Sequence, residues 1–217
     1  MYFECGPIEF STDDGRVLLN GITLRFSPPT LCVIEGPSGE GKSTLLRAIA
    51  GLNRAKVGKR VLQDRTYSVG ELPLWRSQVT LLPQDAPCLH GTVEKNLSFP
   101  FSLRNSKGRK FPQGRARELL DRLGLGHIGF EQDIRGLSGG ERHRLALVRG
   151  ILWGPPVLIA DEPFSGLEQP LALRCFDVLR EFSQERPSVV IAVVHNEGLN
   201  AKADIVLRLE HGTLHRT

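Results

Sequence analysis

Gly36-Pro37-Ser38-Gly39-Glu40-Gly41-Lys42-Ser43 is the stretch on which the fold turns. It follows the apolar run Leu31-Cys32-Val33-Ile34 and precedes Leu45, Leu46, Ile49 and Leu52 at helical spacing, so the chain reads strand, loop, helix. The loop satisfies the pattern GxxxxGK[ST] in full. Its glycines let the backbone curl until successive N–H groups face phosphate oxygens, and the helix beginning near Lys42 adds its positive end. In such a loop Lys42 reaches the β- and γ-phosphates of a nucleotide, the Ser43 hydroxyl holds Mg²⁺, and Thr44 lies beside the α-phosphate. A tight turn alone would account for Gly36, Gly39 and Gly41 but not for the Lys-Ser pair that follows. The candidate phosphate-binding residues are therefore Gly36, Ser38, Gly39, Glu40, Gly41, Lys42, Ser43 and Thr44.

Outward from the loop, a second patterned unit begins at Ser138-Gly139-Gly140 and continues with Leu145, Val148, Ile151 and Leu152 on one helical stripe. It breaks at Gly154-Pro155-Pro156 and resumes as the strand Val157-Leu158-Ile159-Ala160. A third unit runs from Leu171, Cys175, Phe176, Leu179 and Phe182 to the continuous apolar strand Val189 to Val194. Short strands apolar on both faces and separated by helices indicate a parallel sheet covered on both sides. The N-terminal part instead shows shorter alternating strands, with Asp13-Asp14-Gly15 and Pro28-Pro29 at turns, which predicts an antiparallel side sheet. Between about Gln84 and Gly136, Leu119, Leu120 and Leu123 indicate helices after a polar loop carrying Arg104, Lys107, Arg109, Lys110, Arg115 and Arg117. A solvated loop is the expected role of that basic run, ahead of a phosphate or lipid contact.

The 217 residues, 40% hydrophobic, suffice for one substantial core, and a single folded unit over 1–217 is expected. A net charge of +4 is too small to indicate nucleic acid. Cys5, Cys32, Cys88 and Cys175 form no CxxC pair and no close His-Cys cluster, so the pattern speaks for a reducing compartment rather than zinc or a disulfide framework. No apolar run reaches the roughly 18 residues of a membrane span, and Met1 to Cys5 lacks the start of a secretory leader, so any pore is expected on another polypeptide.

Leu137-Ser138-Gly139-Gly140-Glu141 opens a helix, and Val157 to Ala160 leads into the adjacent carboxylates Asp161 and Glu162. These segments resemble the signature and Walker B motifs of ABC ATPases. Gln84 in Leu82-Pro83-Gln84-Asp85 and His195 after the strand 189–194 resemble the family's Q-loop and H-loop. Five motifs in family order cover about Val17 to Gly212. The resemblance implies a P-loop NTPase of the ABC-ATPase fold: an α/β, mostly parallel core sheet flanked by helices, an antiparallel β side sheet, and a helical subdomain at about 85–136 inserted in a RecA-like core.

Chemistry agrees with those positions. Asp161 at a strand end beside a phosphate loop supplies an anion for Mg²⁺, which prefers oxygen ligands and retained water. Glu162 faces the water that attacks the γ-phosphate and is the candidate general base. By resemblance, Gln84 ligates Mg²⁺ or that water, and His195 donates to a γ-phosphate oxygen. Ser138, Gly139 and Gly140 form a second anion-binding helix end, which the family fold sets apart from the first. The resemblance thus implies a head-to-tail dimer, with each ATP between one copy's Lys42 and the other's Ser138.

Three positions depart from the family pattern. The adenine-stacking aromatic is best matched by Phe10, Glu168 in Ser165-Gly166-Leu167-Glu168 replaces the usual Asp, and Pro28-Pro29-Thr30 replaces a Gly-Glu turn. Gly91 to Pro100 resembles the region that touches the coupling helix of a transmembrane permease, and its wording is similar to bacterial subunits assigned to iron or metal export. The implied protein is a transporter's ATPase subunit, cytoplasmic and peripheral on the inner face of the membrane, with no nucleic-acid partner. The alternative is a soluble ABC-type ATPase of a cytoplasmic assembly complex without a pore.

Overall fold

A computed structural model describes residues 2–85 and 87–217. The expected unit 1–217 and its helical part at about 85–136 include Met1 and Ala86, which lie outside the described residues. The chain opens with β1 (Phe3–Ser11), β2 (Val17–Phe26) and β3 (Thr30–Glu35), followed by α1 (Lys42–Ile49). β4 (Lys56–Leu62), β5 (Arg65–Thr66), α2 (Leu72–Gln78) and β6 (Val79–Leu82) come next. Then follow α3 (Val93–Ser102), α4 (Gln113–Arg122), α5 (Gly139–Trp153), β7 (Val157–Asp161), α6 (Gln169–Glu185) and β8 (Val189–Val193). The chain closes with α7 (Glu197–Asn200), β9 (Ile205–Glu210) and β10 (Thr213–Arg216).

Two sheets result, ordered β2-β1-β4-β5 and β10-β9-β3-β8-β7-β6. The first is antiparallel throughout, whereas the second is parallel except for the terminal β9–β10 pair. Every residue of β7 and β8 is buried, the burial pattern of a sheet covered on both faces. Alternation along these strands divides the interior in two. Leu31, Val33, Leu158, Ala160, Val190 and Ala192 point into one apolar cluster with the buried faces of α3, α4, α5 and α6. Cys32, Ile34, Val157, Ile159, Val189 and Ile191 point into the other, which α1, α2 and the antiparallel sheet complete. The core sheet is thus sandwiched between a helical layer and a layer built largely of strands.

The helices start and stop for local reasons. Ser138 caps α5 through a reciprocal capping box with Glu141, and Gly154 ends it in the left-handed conformation at φ 64°. Thr92 caps α3 by accepting from the Lys95 N–H, although no helical stripe marked that segment in the sequence. The basic run is not one loop: Arg115 and Arg117 lie on α4, whose buried residues Ala116, Leu119 and Leu120 hold it against the core. Arg115 there bonds Glu118 and Glu185.

Trp75 joins the two layers of the second cluster. It is fully buried, its ring lies against Phe3 and Tyr67, and its indole N–H donates to the Ile49 carbonyl at 2.7 Å. That carbonyl sits at the end of α1, where intrahelical donors run out. Trp75→Phe retains most of the ring but orphans Ile49, and is expected to cost about 1–3 kcal/mol. Trp75→Ala adds a cavity and is expected to cost about 3–5 kcal/mol, both read from urea unfolding followed by circular dichroism.

Candidate functional site

β3 delivers the chain to the glycine loop, and β9 dictates the loop's first residue. A Cβ on Gly36 would lie 2.3 Å from the Leu209 carbonyl oxygen, and its φ of 140° already excludes ordinary side chains. The loop then passes to Lys42, which is buried and donates from Nζ to the Gly36 and Pro37 carbonyls at 2.7 Å each. The lysine thereby ties both ends of the loop together and keeps its charge at the loop's centre. Burial lowers the Lys42 pKa, against which the charges of Glu162, Asp161 and Glu40 act. At the start of α1 no side chain caps the first N–H groups, so they remain available to an anion.

The remaining loop residues divide by role. Glu40 spends its carboxylate on the His211 N–H at 2.7 Å, which fastens the loop to the β9–β10 turn. Only its backbone is therefore left for a phosphate. Ser38 and Gly39 are exposed, and the Thr44 carbonyl accepts from the Asn53 amide.

Three adjacent strands bring the other candidates to one edge. β6, β7 and β8 are neighbours in parallel, so Gln84, Asp161-Glu162 and His195 follow the same ends of successive strands. Asp161 is buried beside Ser43, whose hydroxyl acts against burial on its carboxyl, so the end of β7 stands next to the glycine loop. Glu162 takes a left-handed φ of 49°, which turns the chain sharply off the strand. Its two carboxylate oxygens are then held from opposite partners, Oε2 by the Gln84 amide and Oε1 by the His195 ring, each at 3.2 Å. His143 on α5 lines the same hollow as Gln84, Asp161 and Glu162, and sequence reasoning missed it. Its only signal is its place one helical turn beyond the Ser138-Gly139-Gly140 motif.

Whether these residues suit a cation is decided by Asp161. Its Oδ1 is buried with no hydrogen-bond partner, and burial, joined by the charge of Glu162, raises the pKa of the carboxyl. The carboxylate is thus short of positive charge, and the Ser43 hydroxyl beside it offers a further oxygen. Oxygen donors of this kind fit Mg²⁺, and no group of three His, Cys, Asp or Glu among the described residues forms a closed cage for it. An open, partial ligand set of this sort suits a metal that keeps its waters and shares substrate phosphates.

Ser138 and Gly139 are exposed at the head of α5. The Ser138 N–H donates to Glu141 at 2.7 Å, and that capping bond leads the contacts that hold the Glu141 pKa down to about 2. No hydrogen bond or ion pair among the described residues joins Ser138, Gly139 or Gly140 to the glycine loop. Phe10 pairs with Leu19 across β1 and β2 and is half-buried against the second cluster. It also lines a hollow of about 300 Å³ with Glu9, Ser11, Asp13, Arg54 and Lys56. Leu18, next in β2 to the 57% exposed Val17, is the nearest side chain to Gly41.

A strand-loop-helix phosphate cradle with a buried carboxylate beside it, at the end of another parallel strand of the same sheet, defines a P-loop nucleotide-binding protein. The chain belongs to the ABC transporter family, whose profile matches residues 19–165. It is 32% identical to the lipoprotein-releasing system ATP-binding protein LolD of Acinetobacter baylyi, over 90% of this chain and 87% of that one. It is 37% identical to the Fe(3+) ions import ATP-binding protein FbpC of Streptomyces avermitilis and 36% identical to the sulfate/thiosulfate import ATP-binding protein CysA of Nephroselmis olivacea. Those matches cover 92% and 82% of this chain, which spans only 57% and 51% of the two relatives. Among solved structures, the dimeric ATP-binding cassette MJ0796 bound to ADP and Pi superposes with a TM-score of 0.83 at 23% identity, over 100% of this chain and 97% of that one. The ATP-bound bacterial Atm1-family exporter gives 0.84 at 21% identity, over 99% and 38%. At those identities the likeness is one of fold.

Asp161 generates a prediction whose sign follows from its raised pKa. Above the ordinary carboxylate range the native chain must hold the group ionised in a site that disfavours the charge, so ionised Asp161 reduces stability until a cation is bound. Asp161→Asn is expected to melt at or above the wild-type temperature without nucleotide. It is also expected to lose most of the further rise that Mg²⁺ and ATP give wild type, as read by scanning calorimetry.

Proposed function

We propose that this chain is the ATP-binding and hydrolysing subunit of an ABC transporter, in which closure of two copies on Mg-ATP drives a separate transmembrane partner. The observation that carries the reading is the Glu162 carboxylate held between Gln84 and His195, directly after the buried carboxylate that lies beside Ser43 of the phosphate loop. Family membership and the ATP-binding names of the relatives support it.

Each residue's task follows from its surroundings. The loop N–H groups and Lys42 hold the β- and γ-phosphates, Lys42 exchanging its bonds to Gly36 and Pro37 for phosphate oxygens. Ser43, Asp161 and Gln84 are the residues that would hold Mg²⁺. When bound, that ion neutralises charge on the phosphate oxygens. Glu162 orients the attacking water and accepts its proton, Gln84 and His195 keep the carboxylate aimed, and His195 donates to the γ-phosphate. Phe10, beside β2, is the proposed adenine contact.

The exposed Ser138-Gly139-Gly140 end has no bond to its own phosphate loop and is proposed to cover the γ-phosphate of a second copy packed head to tail. The dimeric state of MJ0796 with ADP and Pi agrees with that arrangement. No helix among the described residues is long and apolar enough to cross a membrane, which suits a subunit that lies on the inner face beneath its permease. The names of relatives 32–37% identical to this chain give sulfate/thiosulfate, Fe(3+) and lipoprotein, so cargo is proposed to be set by the permease.

Glu162→Gln keeps the shape of the side chain but cannot accept a proton. It is expected to retain ATP, accumulate as a dimer in gel filtration, and hydrolyse about 10²- to 10⁴-fold more slowly. Near-wild-type turnover would remove Glu162 from this role. Lys42→Ala removes a charge-assisted donor and is expected to weaken ATP binding about 10- to 100-fold by calorimetric titration. Unchanged affinity across Mg²⁺ concentrations would count against the loop.

A further inference from the structure

His127 is fastened to the head of α5 through the residue that caps it. Leu125 and Ile128, on either side of its turn, are fully buried. The turn is closed by the Leu125 N–H on the Leu120 carbonyl at 2.7 Å and the Ile128 N–H on the Leu125 carbonyl at 3.0 Å. The backbone under His127 is therefore fixed, and its ring Nε2 shares a hydrogen bond with Glu141 Oε1 at 2.9 Å. The other carboxylate oxygen, Oε2, accepts from the Ser138 N–H at 2.7 Å. Two segments thus form one chain of bonds, from imidazole to carboxylate to the first residue of the Ser138-Gly139-Gly140 end.

The Glu141 carboxylate stands on the positive end of the helix and reduces that end's pull on an approaching phosphate. Its contacts with Ser138 and His127 hold its pKa down to about 2, so it carries this charge throughout the neutral range. Imidazole, in contrast, is the side chain that changes charge between about pH 5 and 8. The His127 side chain is 65% exposed against 19% for Glu141, so the ring exchanges protons with solvent while the carboxylate is sheltered. Other charged side chains surround the pair. On α5, Arg142 donates to the Leu137 carbonyl at 2.6 Å and Arg144 lies beside Gly140. From α4, Arg117 donates to the Ile128 carbonyl at 2.8 Å and Asp121 lies against Gly126. Asp133 and Arg135, ahead of the motif, pair with each other. Among the described residues none of these bonds Glu141, and His127 alone brings it a positive charge.

We propose that His127 is a positioning residue for closure of two copies: its protonated ring neutralises the Glu141 carboxylate, so the Ser138-Gly139-Gly140 end regains its attraction for the γ-phosphate carried by the other copy. The inference rests on the head-to-tail reading and adds its control by pH. Closure strengthens as pH falls through the imidazole range and weakens as pH rises through it. Geometry and charge are separable here, because a neutral imidazole still donates one N–H to the carboxylate. Loss of the proton therefore leaves the cap in place and removes only the neutralising charge.

The test measures dimer formation by the full chain carrying Glu162→Gln in saturating Mg-ATP, by analytical ultracentrifugation at about pH 6 and about pH 8. Adding His127→Gln keeps a donor within reach of Glu141 without a charge, and adding His127→Lys keeps a charge at both pH values. Every other titrating group, the nucleotide included, is common to the three proteins, so their comparison isolates the ring. Each exposed pair contributes about threefold and each dimer contains two, so the protein with His127 is expected to gain about tenfold in dimer affinity between about pH 8 and about pH 6 beyond any gain of the His127→Gln form. The His127→Lys form is expected to dimerise at about pH 8 as tightly as the His127 form does at about pH 6. Equal pH dependence with and without His127→Gln overturns the proposal, as does a His127→Lys form no tighter than the His127→Gln form at about pH 8. A dimer that forms with ATP but ignores residue 127 removes the role of His127 alone. Failure of Glu162→Gln to dimerise with ATP at either pH removes the two-copy reading and this inference with it.

Discussion

The site depends on an ionisable carboxylate placed where the fold cannot solvate it. Asp161 closes a strand that is buried at every position, and one of its oxygens meets no donor. Such a group costs stability unless charge is brought to it. The Ser43 hydroxyl and the nearby Lys42 ammonium, both from the glycine loop, meet part of the need. The unmet part is a deficit of positive charge that a cation bound there would relieve.

Sheet order gathers the other candidate residues around that carboxylate. Because β3, β8, β7 and β6 are neighbours in one parallel register, four chain segments distant in sequence end at one edge. The alternating side chains of the same strands anchor the edge to two separate cores, one under the helices and one under the antiparallel layer. Displacement of either layer therefore moves only one set of side chains directly, while the backbone ends carrying Gln84, Glu162 and His195 stay tied to both. The left-handed turn at Glu162 is sustained in that setting because the sheet fixes the residue before it and two side chains hold its carboxylate.

What the sequence disclosed follows the range of each interaction. The loop, the α5 start and the buried strands are written in consecutive residues: glycines where φ is positive, a Ser-Glu capping pair, unbroken apolar runs. Parallel pairing also emerged, since strands apolar on both faces have few other homes. The misses all depend on contacts across sequence distance. Nothing in Glu40 indicates that its carboxylate is engaged by His211, and His143 enters the hollow of Gln84, Asp161 and Glu162 only because α5 packs against the end of β6 and β7. Arg115 and Arg117 look like part of a solvated loop until α4 forms beneath them, since three buried residues on a polar helix make a faint stripe. α3 escaped for a related reason: Asn96 is one of its three buried residues and spends its amide on the Leu89 backbone, a role invisible to hydrophobic periodicity.

In the head-to-tail pair proposed above, the head of α5 would set how two copies cooperate. An exposed helix end attracts an anion with about 0.3–1 kcal/mol, and a group acting in trans on a phosphoryl site contributes about 10³- to 10⁵-fold in rate, or roughly 4–7 kcal/mol. Here the gap is wider still, because the Glu141 carboxylate that caps the helix is ionised down to about pH 2 and offsets the positive end it stands on. The capping box makes Ser138 and the two glycines rigid at the expense of their long-range field. What remains is short in range: N–H groups of the first turn that lack intrahelical partners, and the Ser138 side chain. Donors of that kind act only at contact and gain most where water is excluded. On this reasoning an open pair of subunits gains little from the motif and a closed pair gains much, so its contribution belongs to the closed state alone, which is the condition for nucleotide binding and release to work as a switch.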